Sequence, residues 1–194
     1  RFSTKKLNEF LQQNLFFLKI YETPIKFDED SAKEFRTKIA MAHNTGQKII
    51  PVVIDSYGGQ VYALMAMISA IKNSELPIAT IVEGKAMSCG AILFSFGEEG
   101  LRFMDPNATV MIHDVSSMDF GKVEELKAGA KEADRLNTII YTMMAQNCGK
   151  KDDYFMKIVD KKKHADWFLD ATQGCNAVAR KCIEDSWLHV DQVS

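Results

Sequence analysis

From position 48 to 116 the chain alternates between β-branched apolar runs and apolar runs with helical spacing. "KIIPVVIDS" is followed by "QVYALMAMISAIKNS", "PIATIVEG" by "CGAILFSFG", and "NATVMIHDVS" closes the series. Strands buried on both faces read as near-continuous Val and Ile, and strands joined through helices run parallel. The pattern therefore dictates an α/β fold built on a mostly parallel sheet with crossover helices. Upstream, "LFFLKIY" (15–21) predicts a further buried strand. "DEDSAKEFRTKIAMAHN" (28–44) predicts a helix that opens with acids and carries Phe35, Ile39 and Met41 near helical spacing.

From Gly121 the character changes. "GKVEELKAGAKEADRLNTIIYTMMAQNCG" carries Val123, Leu126, Leu136, Ile139, Ile140, Met143 and Met144 near i, i+3, i+4 spacing. This predicts one long amphipathic helix over about 121–148, ended by Gly149. A helix of that length outruns a compact domain, so its apolar stripe either packs across the sheet or takes a partner such as another subunit. The 194 residues suit a single domain, with a C-terminal segment 164–194 behind the helix.

The bulk numbers narrow the function classes. Apolar residues at 46% supply a core, and a net charge of −2 gives no argument for nucleic acid or an anionic membrane. No apolar run approaches the roughly 18 residues that span a bilayer. No secretory leader is read at the start, which is Arg1 rather than Met. Cys89, Cys148, Cys175 and Cys182 show no C-x-x-C or metal-ligand spacing, so free thiols in a reducing cytoplasm are expected, and no metal.

Three places gather chemistry. "DSYGG" (55–59) ends a strand, where ligands of open parallel sheets collect, and its glycines free backbone N–H groups for an anion. Ser88, in "GKAMSCGA", lies on a strand-to-helix turn with the amide of Cys89 placed as an oxyanion donor. His113 ends the strand "VMIH". Each alone reads more simply as a turn or a core residue. Together they close successive β-α steps of one sheet, and that coincidence favours a nucleophile, a base and an oxyanion site. His43, His164 and His189 sit in polar or terminal contexts. Asp114, Asp119, Asp166 and Asp170 are the candidate acids to orient the base.

These segments resemble the Clp protease proteolytic subunit, the ClpP family of serine peptidases. The family's D/N-S-P-G-G turn stands here as "DSYGG", its G-Q-A-A-S-M-G-A block as "GKAMSCGA", and its R-F-x-L-P-N-S-x-V-M-I-H-Q-P block as "RFMDPNATVMIHDV" (102–115). The interval from Ser88 to His113 needs no gap, and the resemblance covers roughly 15–185. It implies a ClpP/crotonase-like spiral of β-α units with a long projecting handle helix. It implies a seven-membered ring, single or stacked in two, enclosing a proteolytic chamber in the cytoplasm. A Clp/Hsp100-type ATPase unfoldase would feed unfolded polypeptides to it. This chain would need no cofactor, since the ATP chemistry belongs to the partner and no G-x-x-x-x-G-K-[ST] is present.

Residue by residue, the resemblance makes Ser88 the nucleophile, His113 the general base, and the backbone N–H groups of Gly59 and Cys89 the oxyanion hole. The family's third triad member precedes a D-x-F-M/L-S-A stretch, and "DWFLDA" places it at Asp166. The chain departs from the pattern in several places. Tyr57 replaces a proline, Leu64 a glycine, and Asp114-Val115 a Gln-Pro. A glycine pair is missing from "DVSSMDFG", and a lysine run is inserted before Asp166. His164-Ala165 stands where relatives carry the charged pair that docks ring on ring. Two other readings share the frame: a non-catalytic ring subunit of a mixed Clp complex, and a crotonase-type acyl-CoA enzyme.

Overall fold

The computed structural model describes residues 18–20, 26–115 and 121–178. Asp119, Cys182, His189, the ends of the 15–21 strand, the 116–120 edge and everything past 178 lie outside the described residues. In chain order the elements are β1 (Leu18–Ile20), β2 (Lys26–Phe27), α1 (Glu29–Ala42), β3 (Ile50–Ser56), β4 (Gly58–Gly59), α2 (Val61–Lys72), β5 (Ile78–Met87), α3 (Cys89–Phe94), β6 (Arg102–Met104), β7 (Thr109–Ile112), α4 (Val123–Asn147), α5 (Tyr154–Lys161), β8 (Trp167–Leu169) and α6 (Ala171–Val178).

The main sheet runs β1-β3-β5-β7-β8, with β6 paired to β5 off this path. Every pair is parallel except β7–β8. The expected mixed α/β architecture, mostly parallel with crossover helices and one long helix, is therefore the one observed. β5 is longer than "PIATIVEG" suggested, because it serves two neighbours. Thr80–Val82 pairs with β6 and Lys85–Met87 with β7. Between these halves β5 bulges against β3, whose register jumps from Ile54↔Val82 to Ser56↔Ala86. The Asp55 carboxylate plugs the bulge, accepting from the Lys85 backbone N–H at 3.2 Å and from its Nζ at 2.8 Å.

Local chemistry explains the helices. Asp28 and Ser31 form a reciprocal capping box at the start of α1. Its buried face is Ala32, Phe35, Ile39 and Ala42. Met41, expected on that face, is 49% exposed, because six residues past Phe35 it has turned roughly 120° away. All six residues of α3 are buried, so the turn before it rests on a rigid pedestal. Leu93 and Phe94 are fully covered there, worth roughly 1.5–3 kcal/mol each.

α4 buries Leu136, Ile140, Tyr141, Met144 and Ala145, all in its second half. Its first turns stand clear, with Val123 65% and Leu126 40% exposed. It ends as expected, with Lys150 N–H donating to Ala145 O and Gly149 N–H to Gln146 O, the paired bonds of a Schellman motif. β6 and α5 have no counterpart in the sequence reading. In α5 only Phe155 and Val159 are buried, one turn apart amid lysines and aspartates. In β8 Leu169 is buried and Trp167 packs partly against the core, while Phe168 is 55% exposed.

Candidate active site

Ser88 sits between the end of β5 and the first residue of α3, at φ 54° and ψ −121°. A non-glycine residue there carries strain of order 1–3 kcal/mol, and such strain collects at functional sites. Its N–H donates to Met111 O of β7 at 2.9 Å, and its carbonyl receives Ala91 and Ile92 of α3. The turn is thus bonded to the strand that carries His113 and to its own helix.

Gly58, at φ 103°, passes directly against the serine. A Cβ there would lie 2.6 Å from Ser88 Cβ and 3.1 Å from Oγ. At Gly59 a Cβ would lie 2.5 Å from Phe27 N. The two glycines therefore form β4, parallel to β2, rather than the open loop before a helix that the sequence suggested. Gln60 N–H donates to Phe27 O at 2.6 Å, and Cys89 Sγ–H donates to Gly59 O at 3.3 Å. Backbone groups of adjacent strand residues point to opposite edges, so the polar groups of Gly59 face α3. Cys89 is the first residue of α3, and its N–H has no carbonyl one turn back to bond.

Gly59, Ser88, Cys89 and His113 line one cavity of about 50 Å³, shared with Asn137 and Tyr141 of α4. The antiparallel register Ile112↔Trp167 sets His113 opposite Asp166. His113 Nδ1 lies 3.9 Å from Asp166 Oδ1, within ion-pair reach but beyond a hydrogen bond. Two other candidate acids are occupied elsewhere. Asp114 accepts from Tyr141 OH at 3.0 Å and from His164 Nδ1–H at 2.6 Å. Asp170 caps α6, accepting from Gln173 N–H at 2.8 Å. His43 is a fastener between α1 and the loop before β5: Nδ1–H donates to Ile39 O, and Nε2 accepts from Glu75 N–H.

Asn137 and Tyr141 escaped the sequence reading. Asn137 Oδ1 accepts from Val115 N–H at 2.7 Å, just past the histidine. The available signal was a polar pair at i, i+4 within the apolar half of the long helix. Burial, and then the charge of Asp114, push the Tyr141 hydroxyl above its usual range, so it stays a donor.

Cys89 neighbours Ser88 and is chemically the stronger nucleophile, but burial pushes its thiol up to about 11. Burial does the same to Cys148. A thiol so far above neutral pH is almost wholly protonated and inert. We expect neither to react with a maleimide at pH 7.5 in the folded protein, with labelling read by peptide mass spectrometry. Labelling of Cys89 under native conditions would return it to candidacy as a nucleophile.

A hydroxyl on a strained strand-to-helix turn, sharing one cavity with an imidazole and with the backbone of Gly59 and Cys89, is an arrangement on which acyl-transfer chemistry is built. The chain belongs to the Clp protease family, whose model matches residues 6–177. It is similar to the ATP-dependent Clp protease proteolytic subunit 3 of Nocardia farcinica, 29% identical over 165 residues, covering 84% of this chain and 74% of the relative. Subunit 1 of Rhodopirellula baltica is 33% identical over 127 residues, covering 66% and 54%. Subunit 2 of Mycobacterium tuberculosis is 28% identical over 165 residues, covering 84% and 76%. No helix among the described residues is long and apolar enough to cross a membrane. The described residues hold no group of three or more His, Cys, Asp or Glu fit to bind a metal ion.

Proposed function

We propose that this chain is a Clp-type serine endopeptidase subunit, a single peptidase domain acting on unfolded polypeptides in a ring chamber. Ser88 is the nucleophile, His113 its general base, Asp166 the orienting acid, and the N–H groups of Gly59 and Cys89 the oxyanion donors. His113 takes the proton of Ser88 as Oγ attacks the peptide carbonyl. The protonated imidazole then gives that proton to the leaving amine, and water repeats the sequence on the acyl-enzyme. The observation that carries this reading is the convergence of Gly59, Ser88, Cys89 and His113 on one cavity, with Asp166 across the β7–β8 register. The 3.9 Å gap to Asp166 is compatible with it, because catalytic hydrogen bonds in free enzymes are often long and tighten on substrate.

The chemistry needs no cofactor on this chain. ATP would be used by a Clp/Hsp100-type unfoldase partner, in the cytoplasm. A fluorophosphonate probe tests the reading, since it labels only an activated serine. A non-catalytic ring subunit or a crotonase-type enzyme would stay unlabelled, and absence of label on Ser88 overturns the proposal.

The ring is proposed from α4. Its exposed large apolar residues are Val123 and Leu126, at the free end. Met143 and Ile139, in the second half, are half-buried, and Met143 packs against the core with Lys72 Nζ 3.8 Å from its sulfur. Charge at Met143 would therefore damage the fold as well as any interface. We expect Leu126→Glu to weaken assembly in analytical ultracentrifugation with little change in Tm, because an unpaired carboxylate is costly only where a partner buries it. A wild-type chain that stays monomeric at micromolar concentration would contradict the ring.

A further inference from the structure

The position after His113 and the position two before Asp166 are bonded to each other. Asp114 Oδ2 accepts from His164 Nδ1–H at 2.6 Å, while Asp114 Oδ1 accepts from Tyr141 OH at 3.0 Å. One carboxylate therefore ties together the end of β7, the turn before β8, and α4. Asp160 Oδ1 stands 3.6 Å from the other ring nitrogen, Nε2, beyond a hydrogen bond, so the ring is held through Nδ1. Lys163 and His164 both adopt left-handed backbone, at φ 56° and 59°. That tight turn after α5 is what carries the imidazole back toward Asp114. Right beside it, His113 and Asp166 stand 3.9 Å apart, close without a direct hydrogen bond.

We propose that Asp114 and His164 form a clasp that sets the reach of His113 to Asp166, so that both are positioning residues for the reaction. The clasp is covalently contiguous with both members of the pair, one residue from His113 and two from Asp166. Past the end of the β7–β8 ladder at Ile112↔Trp167, it is the shorter and better-formed of the two side-chain contacts between the segments, so it sets their spacing there where the His113–Asp166 contact cannot. Tyr141 lines the cavity and fixes Asp114 to α4, so the clasp also refers the histidine to the wall of the site. Neither Asp114 nor His164 need touch the substrate.

The inference rests on the peptidase reading, and its test separates the two. On the full chain, kcat and KM for a short fluorogenic peptide are measured for wild type, His164→Gly and His164→Asn. Each is measured alone and in the Asp166→Asn background. Glycine suits the exposed left-handed turn, so His164→Gly removes the donor without straining the backbone. It should lower kcat roughly ten- to a hundredfold with KM unchanged, the scale of a ~1 Å misplacement of a catalytic group. Asparagine tolerates the same backbone and offers an amide N–H near the Nδ1 position, so His164→Asn should restore most of the loss. In the Asp166→Asn background His164→Gly should cost nothing further. An equal loss in both backgrounds, or no rescue by asparagine, overturns the clasp. Crystal structures of wild type and His164→Gly decide the matter independently of turnover. The His113–Asp166 separation should open beyond ion-pair reach of about 4 Å in the variant, and an unchanged separation overturns the proposal even if the chain hydrolyses no peptide. A wild type that neither labels nor turns over sinks the peptidase reading alone.

Discussion

Ser88→Ala is expected to abolish peptide hydrolysis and leave the fold and assembly intact. Alanine keeps the Cβ and the backbone, so the bonds from residue 88 to Met111, Ala91 and Ile92 remain available. The α3 pedestal, buried along its whole length, is untouched. What disappears is the proposed nucleophile, and the Cys89 thiol next to it, pushed up to about 11 by burial, does not replace it. Loss of a triad nucleophile removes several kcal/mol of transition-state stabilisation, a fall in kcat on the order of ten-thousandfold or more. The check is steady-state hydrolysis of a fluorogenic peptide alongside Tm and sedimentation. Full residual turnover in the purified variant would sink the assignment of Ser88.

Asp166→Asn should lower turnover by about a thousandfold or more, the scale at which a triad loses the acid that fixes the tautomer of its base. The register of β7 against β8 sets Asp166 opposite His113. The rival acids are engaged: Asp114 with Tyr141 and His164, Asp170 with the first turn of α6. Asp114→Asn keeps an acceptor for the tyrosine hydroxyl and loses only the one for His164, the roughly ten- to hundredfold loss expected of the clasp, and Asp170→Asn keeps a good helix cap. Both should therefore cost far less than Asp166→Asn. Single-variant kinetics decide it. If Asp166→Asn stays near wild type while either other variant collapses, a different carboxylate orients the histidine.

The β-α rhythm between 48 and 116 is legible because doubly buried strands leave an unmistakable Val/Ile signature, and because the helices between them carry their own period. β6 is not legible: Arg102–Met104 is three residues long, and its strand character comes from lying along the first half of β5. α5 is hidden by the lysines around it, since two buried side chains one turn apart are a thin signal. In the candidate site, the turn at Ser88 and the strand end at His113 can be read from local pattern. The facing of His113 and Asp166 cannot, because it depends on an antiparallel register between segments more than fifty residues apart. That Asp114 points away from its neighbour follows from strand alternation alone. What it points toward, a tyrosine on α4 and a histidine past α5, is fixed only by tertiary packing.

The backbone of Ser88 sets an evolutionary gradient. At φ 54° and ψ −121° the conformation is one that glycine adopts freely and serine does not. Relief of strain of order 1–3 kcal/mol would outweigh the roughly 0.5–1 kcal/mol that glycine's extra freedom costs the folded state. The fold is therefore better off by up to about 2 kcal/mol with glycine than with any side chain at 88, and where Ser88 is the nucleophile it is selection for turnover that keeps the serine in place. A duplicated copy freed from that selection would drift downhill toward glycine at 88 and settle as a stable, silent building block. The same geometry that arms the site makes disarming it thermodynamically favourable.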